Sequence, residues 1–522
     1  MRMSRPSLCL LAGALACTLP AVAPCAADAQ ATARTSPRRG EIPAAYRAIR
    51  EADLRRDVGE MASPAMRGRE GGTTDELRAS MWVAEQYRRI GLKPMGEDGT
   101  WFQWFDMTRT RVSVTGSRLA IGGQSMTLFG DAIPLGVVPA EASGTVLWMP
   151  DAADTTTSVR GRIVATPLLA PAPAIIRANS YPYPIRYADA AILGTLARFT
   201  GRGAAAIVLV ANPPVDSAFA PVSAMRVRGL YDVDRAVPRA ANGSMRIAPA
   251  PTLGSGTTPA ILVRGAMREM LARQPQAELS LRLERFTAPS VNVIGVVRGT
   301  DPVLRNEYVI FSSHQDANGV RATIEGDSVH AGADDNASVS AADLAAARAF
   351  VRQPGRRSVL FINHGSEERG LLGSRYHAAH PVVPLAQVVA VINGDMIGRN
   401  HPDSASLLGS QPPHRNSSAL VAMALRANAL TGRFLLDTLW DRPTHPEGWY
   451  FRSDHLPYAR MNVPALMYST NLHDDYHTPR DRPDRIDYPK LTRMAQWMYL
   501  TGWFAATAAR RPTLDAGARL ER

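Results

Sequence analysis

Five short stretches carry side chains that can bind a metal ion, and four of them stand at or after the end of a run that reads as a β-strand. The first is Phe311-Ser312-Ser313-His314-Gln315-Asp316. His314 offers an imidazole nitrogen. Asp316 lies two residues on, so in extended chain it projects to the same side, where it would hold the second ring nitrogen and fix the tautomer. The second is Gly332-Ala333-Asp334-Asp335-Asn336-Ala337-Ser338, which runs into a helix. The third, Gly365-Ser366-Glu367-Glu368-Arg369-Gly370, holds adjacent glutamates that an irregular turn can aim in different directions. Asn393-Gly394-Asp395-Met396 and Asp475-Tyr476-His477-Thr478-Pro479 complete the set.

Taken singly, each stretch has a structural reading: acids at a helix start cap it or complement its dipole, and polar turns commonly follow strands. Taken together they place carboxylates and imidazoles on one edge of an expected sheet. Imidazole and carboxylate without thiolate suit zinc, with cobalt or manganese as substitutes. Two histidines and three carboxylates exceed the three protein ligands of a single catalytic zinc. They suit two ions sharing a carboxylate, an arrangement with ~3.5–4 Å between ions that recurs in aminopeptidases and phosphatases.

The elements that must position these residues form an alternating series. Val291–Val297, Tyr308–Ser313, Val359–Asn363, Val388–Ile392 and Ala465–Tyr468 read as strands. Ala337–Val351, Leu371–Ala379, Ser418–Leu430 and Tyr488–Ala508 read as helices. The alternation predicts an α/β fold, an open and mostly parallel sheet flanked by helices, with its site beyond the carboxyl ends of the strands. Upstream, helices are expected over 46–61 and 74–90. Between 130 and 264 the texture changes to short β-rich runs and Pro/Gly loops without histidine, which predicts a separate, mostly β module.

Composition narrows the class. The chain has 522 residues, 45% hydrophobic and 20% charged, which excludes a disordered, collagen-like or coiled-coil chain. Its net charge of +12 comes from scattered arginine rather than a basic stripe, so a nucleic-acid partner is not expected. All three cysteines, Cys9, Cys17 and Cys25, precede residue 26. They sit in a basic start, an apolar run and an Ala27-x-Ala29 site that read as a signal peptide over 1–29. Export to the periplasm or medium follows, with acylation at Leu15-Ala16-Cys17 as an alternative anchor. A flexible leader over 30–43, catalytic segments at 44–129 and 265–511, and a tail at 512–522 complete the expected organisation, with no membrane span after the signal.

The ordered motifs, with Met66-Arg67-Gly68-Arg69 and Ser290-Val291-Asn292-Val293-Ile294-Gly295, resemble metallopeptidase family 28, the co-catalytic zinc aminopeptidases and their relatives. The resemblance implies a zinc exopeptidase-like fold in which the 130–264 insertion is a protease-associated domain. It implies two Zn2+ per chain: His314 and Asp395 on one ion, Glu368 and His477 on the other, and Asp335 bridging them. It further implies Glu367 as general base, a cis peptide between Asp335 and Asn336, and a peptide substrate cleaved by metal-activated water. Asp316 supports His314, and Arg452-Ser453-Asp454-His455 resembles a segment near the substrate, with a structural hydrogen-bond role for Asp454 equally open. Val339 departs from the family's usual glycine at its position. A glutamate-releasing carboxypeptidase and a glutaminyl cyclase on the same scaffold are the alternatives. A substrate pocket is expected from 411–416 and 439–450.

Overall fold

The computed structural model describes residues 41–172, 183–233, 258–518 and 520. The expected signal peptide and the leader up to residue 40 lie outside them. At the centre of a ten-stranded sheet run four parallel strands: β3 (Tyr308–His314), β4 (Ser358–His364), β5 (Val388–Gly394) and β7 (Ala465–Ser469), in the order β4-β3-β5-β7. Every residue of these four strands is buried. That is what a parallel strand covered on both faces requires, and it explains their near-continuous apolar sequences.

Side chains alternate between two cores, as strand geometry dictates. Val309, Phe311 and Phe361 face a core shared with helices α1 (Glu51–Met61), α2 (Thr74–Ile90), α3 (Ser338–Arg352), α5 (Ser418–Leu430) and α7 (Tyr488–Thr507). Ile310, Leu360 and Val391 face the other, closed by α4 (Leu372–Ala379) and α6 (His455–Arg460). Helix α2 shows how local sequence sets these boundaries. Thr73 accepts the Asp75 N–H at its start, and Gly91, at φ 101°, ends it in the left-handed region.

The margins of the sheet are antiparallel. β2 (Leu283–Val297) runs against β4, β1 (Phe102–Val112) against β2, and β6 (Ser404–Leu408) against β7. The sheet is thus mixed: parallel at its centre, and parallel again at one edge, where Leu435–Leu436 pairs with β6. The direct link 298–307 is shorter than the dozen or more residues a parallel crossover needs, so β2 and β3 run in opposite directions. Among the described residues, no helix is long and apolar enough to cross a membrane.

β1 and β2 pair along almost their full length and extend out of the sheet into the inserted module, which occupies 113–282. One of its sheets orders Ala132–Pro134, Ala260–Val263, Ala206–Val210, Ile163–Pro167 and Leu147–Trp148; the other is antiparallel and includes Arg118–Ile121 and Gln276–Leu281. The module is thus wider than 130–264, because these two outer strands have no composition that sets them apart. It also carries helices, Tyr183–Ala197, Pro213–Ser217 and Phe219–Arg226, with a core of their own against the larger sheet.

Strand β3 is held from behind by α7. The Phe311 ring packs on Phe350 and Phe361, with centroids 5.7 and 5.3 Å away. Gly502 lets α7 approach so closely that a Cβ there would overlap the Phe311 ring. Replacing glycine by alanine inside an exposed helix gains about 1 kcal/mol. Here the ring has nowhere to move, so Gly502→Ala is expected to destabilise the chain by about 1–3 kcal/mol, read as a lowered denaturation midpoint. A raised midpoint would contradict this packing.

Candidate metal centre

All five motifs meet at the carboxyl ends of the parallel strands. His314 is the last residue of β3, Glu367 and Glu368 form a turn after β4, and Asp395 follows β5 directly. Asp335 lies in the Ala333–Ala337 turn that leads into α3, and His477 in the loop after β7. The peptide between Asp335 and Asn336 is cis. Ser366, Met396 and His477 all adopt φ between 53° and 56°, a conformation that costs non-glycine residues of order 1 kcal/mol and recurs at functional sites.

The carboxylate of Asp335 touches both imidazoles. Its Oδ1 lies 3.3 Å from His314 Nε2 and its Oδ2 lies 3.1 Å from His477 Nε2. His477 Nε2 is also 3.0 Å from Glu368 Oε2. His314 Nε2 is 3.7 Å from Glu367 Oε2 and 3.9 Å from Asp395 Oδ2. Two groups emerge, His314 with Glu367 and Asp395, and Glu368 with His477 and Asp335, each with its donor atoms within 4.8 Å of one another. Glu367 thus stands as close to His314 as Asp395 does. Asp335 connects the two groups.

The donors are held by a layer of buried polar groups behind them. Asp316 Oδ1 accepts the Glu367 N–H at 2.9 Å, and its Oδ2 accepts the Glu368 N–H at 3.2 Å. His314 Nδ1 lies 3.1 Å from the Asp316 carbonyl and 3.6 Å from Oδ1. Asp316 therefore supports three donors, one more motif than its spacing suggested. Glu76 accepts the N–H groups of Ser366 and Gly72 at 2.8 and 2.6 Å, tying the glutamate turn to α2. Asp481 accepts the N–H groups of Asp334 at 2.9 Å and Asp335 at 3.1 Å. His473 Nε2 lies 3.3 Å from Asp334, and Asn318 donates to Glu368 Oε1 at 2.8 Å. Sequence reasoning did not single out Glu76, Asp481 or Asn318. Glu76 reads as a first-turn helix acid, and Asp481 as one more residue of a polar loop.

Arg69 is fully buried beneath the site. It donates to the carbonyls of Gln315 (2.8 Å), Met61 (2.6 Å), Ala331 (2.7 Å) and Gly332 (2.9 Å). Burial lowers its pKa to about 10, opposed by the charges of Asp316, Asp481, Asp335 and Glu368.

Crowding shapes the protonation of the site. Burial pushes the Glu367 and Asp395 carboxyls well above the usual range, and neighbouring acids, Asp395 for the one and Asp335 for the other, push the same way. Asp454, also buried, is raised to about 7 by desolvation. Burial opposes the charge on Asp335, but contact with His314 and His477 outweighs it and holds this carboxyl low. Facing acids, Glu367 foremost, hold the His314 imidazole well above its ordinary value against the effect of burial. His314 Nε2, completely buried, faces three carboxylates, those of Asp335, Glu367 and Asp395. A hard or borderline cation fits such a donor set, and imidazole with carboxylate matches zinc.

Asp454 belongs to this neighbourhood: its charge acts on Glu367 and Asp395. His455 does not. Its ring turns onto Tyr450, 4.8 Å away, and its electrostatic neighbours are His414 and Arg460. Adjacent positions at the start of a helix leave in different directions, so the structure brings Asp454, and not His455, to the metal donors. His364 and His377 are buried around the Tyr458 hydroxyl. The segments 411–416 and 439–450 meet where His414 and the N–H groups of Gly409 and Gln411 hold Asp441.

Residues 292–501, which contain every one of these metal donors, match Peptidase family M28. The uncharacterized protein YfbL of Escherichia coli is 29% identical over 187 residues, 31% of this chain and 56% of YfbL. Aminopeptidase YwaD of Bacillus subtilis is 23% identical over 245 residues, 45% of this chain and 50% of YwaD. The chain therefore spans about half the length of the curated relatives it matches. The solved structure of BSAP, a zinc aminopeptidase from Bacillus subtilis, shares the fold at 17% identity with a TM-score of 0.54, covering 90% of this chain and 99% of that one.

Groups behind metal ligands typically influence affinity or activity 10–100-fold. Asp316→Asn keeps the side-chain shape but replaces one accepting oxygen with a donor that faces an N–H. Its zinc affinity, measured by competition with a chromophoric chelator, is expected to fall about 10–100-fold. Unchanged affinity would show that the two glutamates hold their positions without Asp316.

Proposed function

We propose that the chain is an exported aminopeptidase that works with two zinc ions and removes N-terminal residues from peptides. The observation that carries this reading is the single carboxylate of Asp335 in contact with both imidazoles, with the Glu367 carboxylate beside them. His314 and Asp395 would hold one ion, Glu368 and His477 the other, and Asp335 both. Bound there, the pair of ions supplies an activated water near neutral pH and polarises the scissile carbonyl.

The chain's own residues do the rest. Glu367 accepts the proton of the attacking water at its carboxylate and returns it to the departing amine. Its burial suits that task, since a raised carboxyl pKa makes a stronger base near neutral pH. Asp316 keeps Glu367 and Glu368 on opposite courses by binding both amide N–H groups. Asp454 adds an acid in the same buried neighbourhood, suited to receive a substrate's free ammonium group.

Glu367→Gln is expected to keep its zinc, by elemental analysis, and to lose about 100-fold or more of its turnover of aminoacyl anilides. Near-normal turnover would remove Glu367 from the role of base. His314→Ala and His477→Ala are each expected to lower zinc content, and unchanged zinc in both would overturn the ligand assignment. A panel of aminoacyl anilides against C-terminally free acyl dipeptides separates an aminopeptidase from a carboxypeptidase: hydrolysis of only the acyl dipeptides would reverse the reading.

A further inference from the structure

One side chain grips the glutamate turn at both of its ends. Residues 365–373 carry Glu367 and Glu368, and the ends of this stretch meet: the Gly373 N–H donates to the Gly365 carbonyl at 3.0 Å. Asn292, on β2 and fully buried, lies across that junction. Its Oδ1 accepts the Gly365 N–H at 3.1 Å. Its Nδ2 donates to the Gly373 carbonyl at 2.9 Å and to Gln103 Oε1 at 3.1 Å. A Cβ on Gly373 would overlap both Asn292 Oδ1 and the Gly365 carbonyl, so glycine is what lets these groups close up. Asp316 and Glu76 hold the interior of the turn through the N–H groups of Ser366, Glu367 and Glu368. Asn292 holds the places where it starts and stops.

This grip works in one orientation of the amide. A flip would set donor against donor at Gly365 and acceptor against acceptor at Gly373. A second series of buried bonds fixes the direction. The same Asn292 Oδ1 lies 3.3 Å from His364 Nδ1. Burial lowers the pKa of both the His364 and His377 imidazoles, that of His377 to about 3. Each ring is therefore neutral, with one donor nitrogen and one acceptor. With the His364 Nδ1–H on the Asn292 oxygen, its Nε2 accepts, and the Tyr458 hydroxyl 3.2 Å away donates to it. The one hydroxyl hydrogen is then spent, so His377 Nδ1, 2.7 Å from the same oxygen, donates. The bonds run one way, from His377 through Tyr458 and His364 to Asn292, and bonds in such a series strengthen one another. Tyr458 belongs to α6 and His377 to α4, so the two helices that close one face of the sheet set the grip on the turn.

We propose that Asn292 is a positioning residue for Glu367 and Glu368, holding both ends of their turn, and that Tyr458, acting through His364, fixes the direction of its amide. The roles of the two glutamates rest on the peptidase reading, but the grip on the turn is measured apart from turnover.

The experiment compares the full chain with Tyr458→Phe, which removes one hydroxyl and keeps the ring, and with Asn292→Asp, which sets an oxygen against the Gly373 carbonyl. Amide hydrogen exchange, followed by mass spectrometry on the full chain stripped of zinc, is expected to quicken about ten-fold over 365–373 in both variants. Helix α2 and the parallel strands should keep their rates. On the zinc-loaded chain, kcat for an aminoacyl anilide is expected to fall about ten-fold with KM little changed. Zinc affinity, by chelator competition, should fall about ten-fold as well. If 365–373 exchanges as before in both variants, or if exchange quickens evenly along the whole chain, the grip is overturned. If the turn loosens while kcat and zinc affinity stay at the parent values, the positioning role is overturned. If the parent cleaves no anilide but the turn loosens and zinc affinity falls in the variants, the peptidase reading fails and the positioning of the turn stands. Should Asn292→Asp fail to fold, Tyr458→Phe decides by the same readouts.

Discussion

The interaction on which the structure turns is the contact of one carboxylate, Asp335, with two imidazoles, one at the end of β3 and one in the loop after β7. Around it Glu367, Glu368, Asp395, Asp316 and Asp454 are buried or nearly so. Buried charges of one sign are expensive unless they are neutralised. Protonation of some of these acids, visible in the raised Glu367 and Asp395 carboxyls, is one resolution. A pair of divalent ions is the other, and it leaves the carboxylates ionised. Arg69 explains why the chain does not neutralise the site itself. Its charge lies close enough to act on Asp316, Asp335 and Glu368, yet its hydrogen bonds go to four backbone carbonyls. The guanidinium lends its field and fastens the β3 end to the 331–332 segment without capping any donor that a metal needs.

Parallel strand direction makes the rest possible. Because β4, β3, β5 and β7 all point the same way, four strand ends open onto one edge, and the segments that follow them supply the donors. The cores on both faces fix those ends. The antiparallel margin does different work. β1 and β2 form a ribbon that leaves the sheet, carries the module at 113–282, and returns it to lie against the metal centre through Arg228, Glu70 and Arg369.

The sequence revealed the site better than the architecture around it. His314, Glu367, Glu368, Asp395 and His477 were legible because a parallel strand buried on both faces is a continuous apolar run, and Asp335 because it stands at the expected start of a helix among them. A polar turn directly after such a run has few structural reasons to be acidic. Helix α2 was legible for a similar local reason, a threonine cap and a terminal glycine. The antiparallel course of β2 was not, since strand direction depends on what lies across the sheet rather than on the strand's own residues. Asp481 and Glu76 were missed because their partners are backbone N–H groups, which every residue has and no motif records. His455 packs on Tyr450 instead of joining Asp454, since nearness in sequence says nothing about which way a helix-start side chain leaves.

The net charge of +12 also acquires a physical meaning. Some of the arginines act as struts rather than as a charged surface. Arg357, 1% exposed, donates to the carbonyls of Ala505 and Ala508 at the end of α7 and pairs with Glu307 at 2.6 Å. Arg69 does the same beneath the metal centre. Others form exposed pairs such as Arg55 with Glu51 and Arg88 with Glu85, whose influence solvent ions screen within about 10 Å. The overall positive charge is therefore compatible with an acidic, cation-seeking interior. The potential at His314 is set by carboxylates within 4 Å of its ring and by one guanidinium whose donors are already engaged.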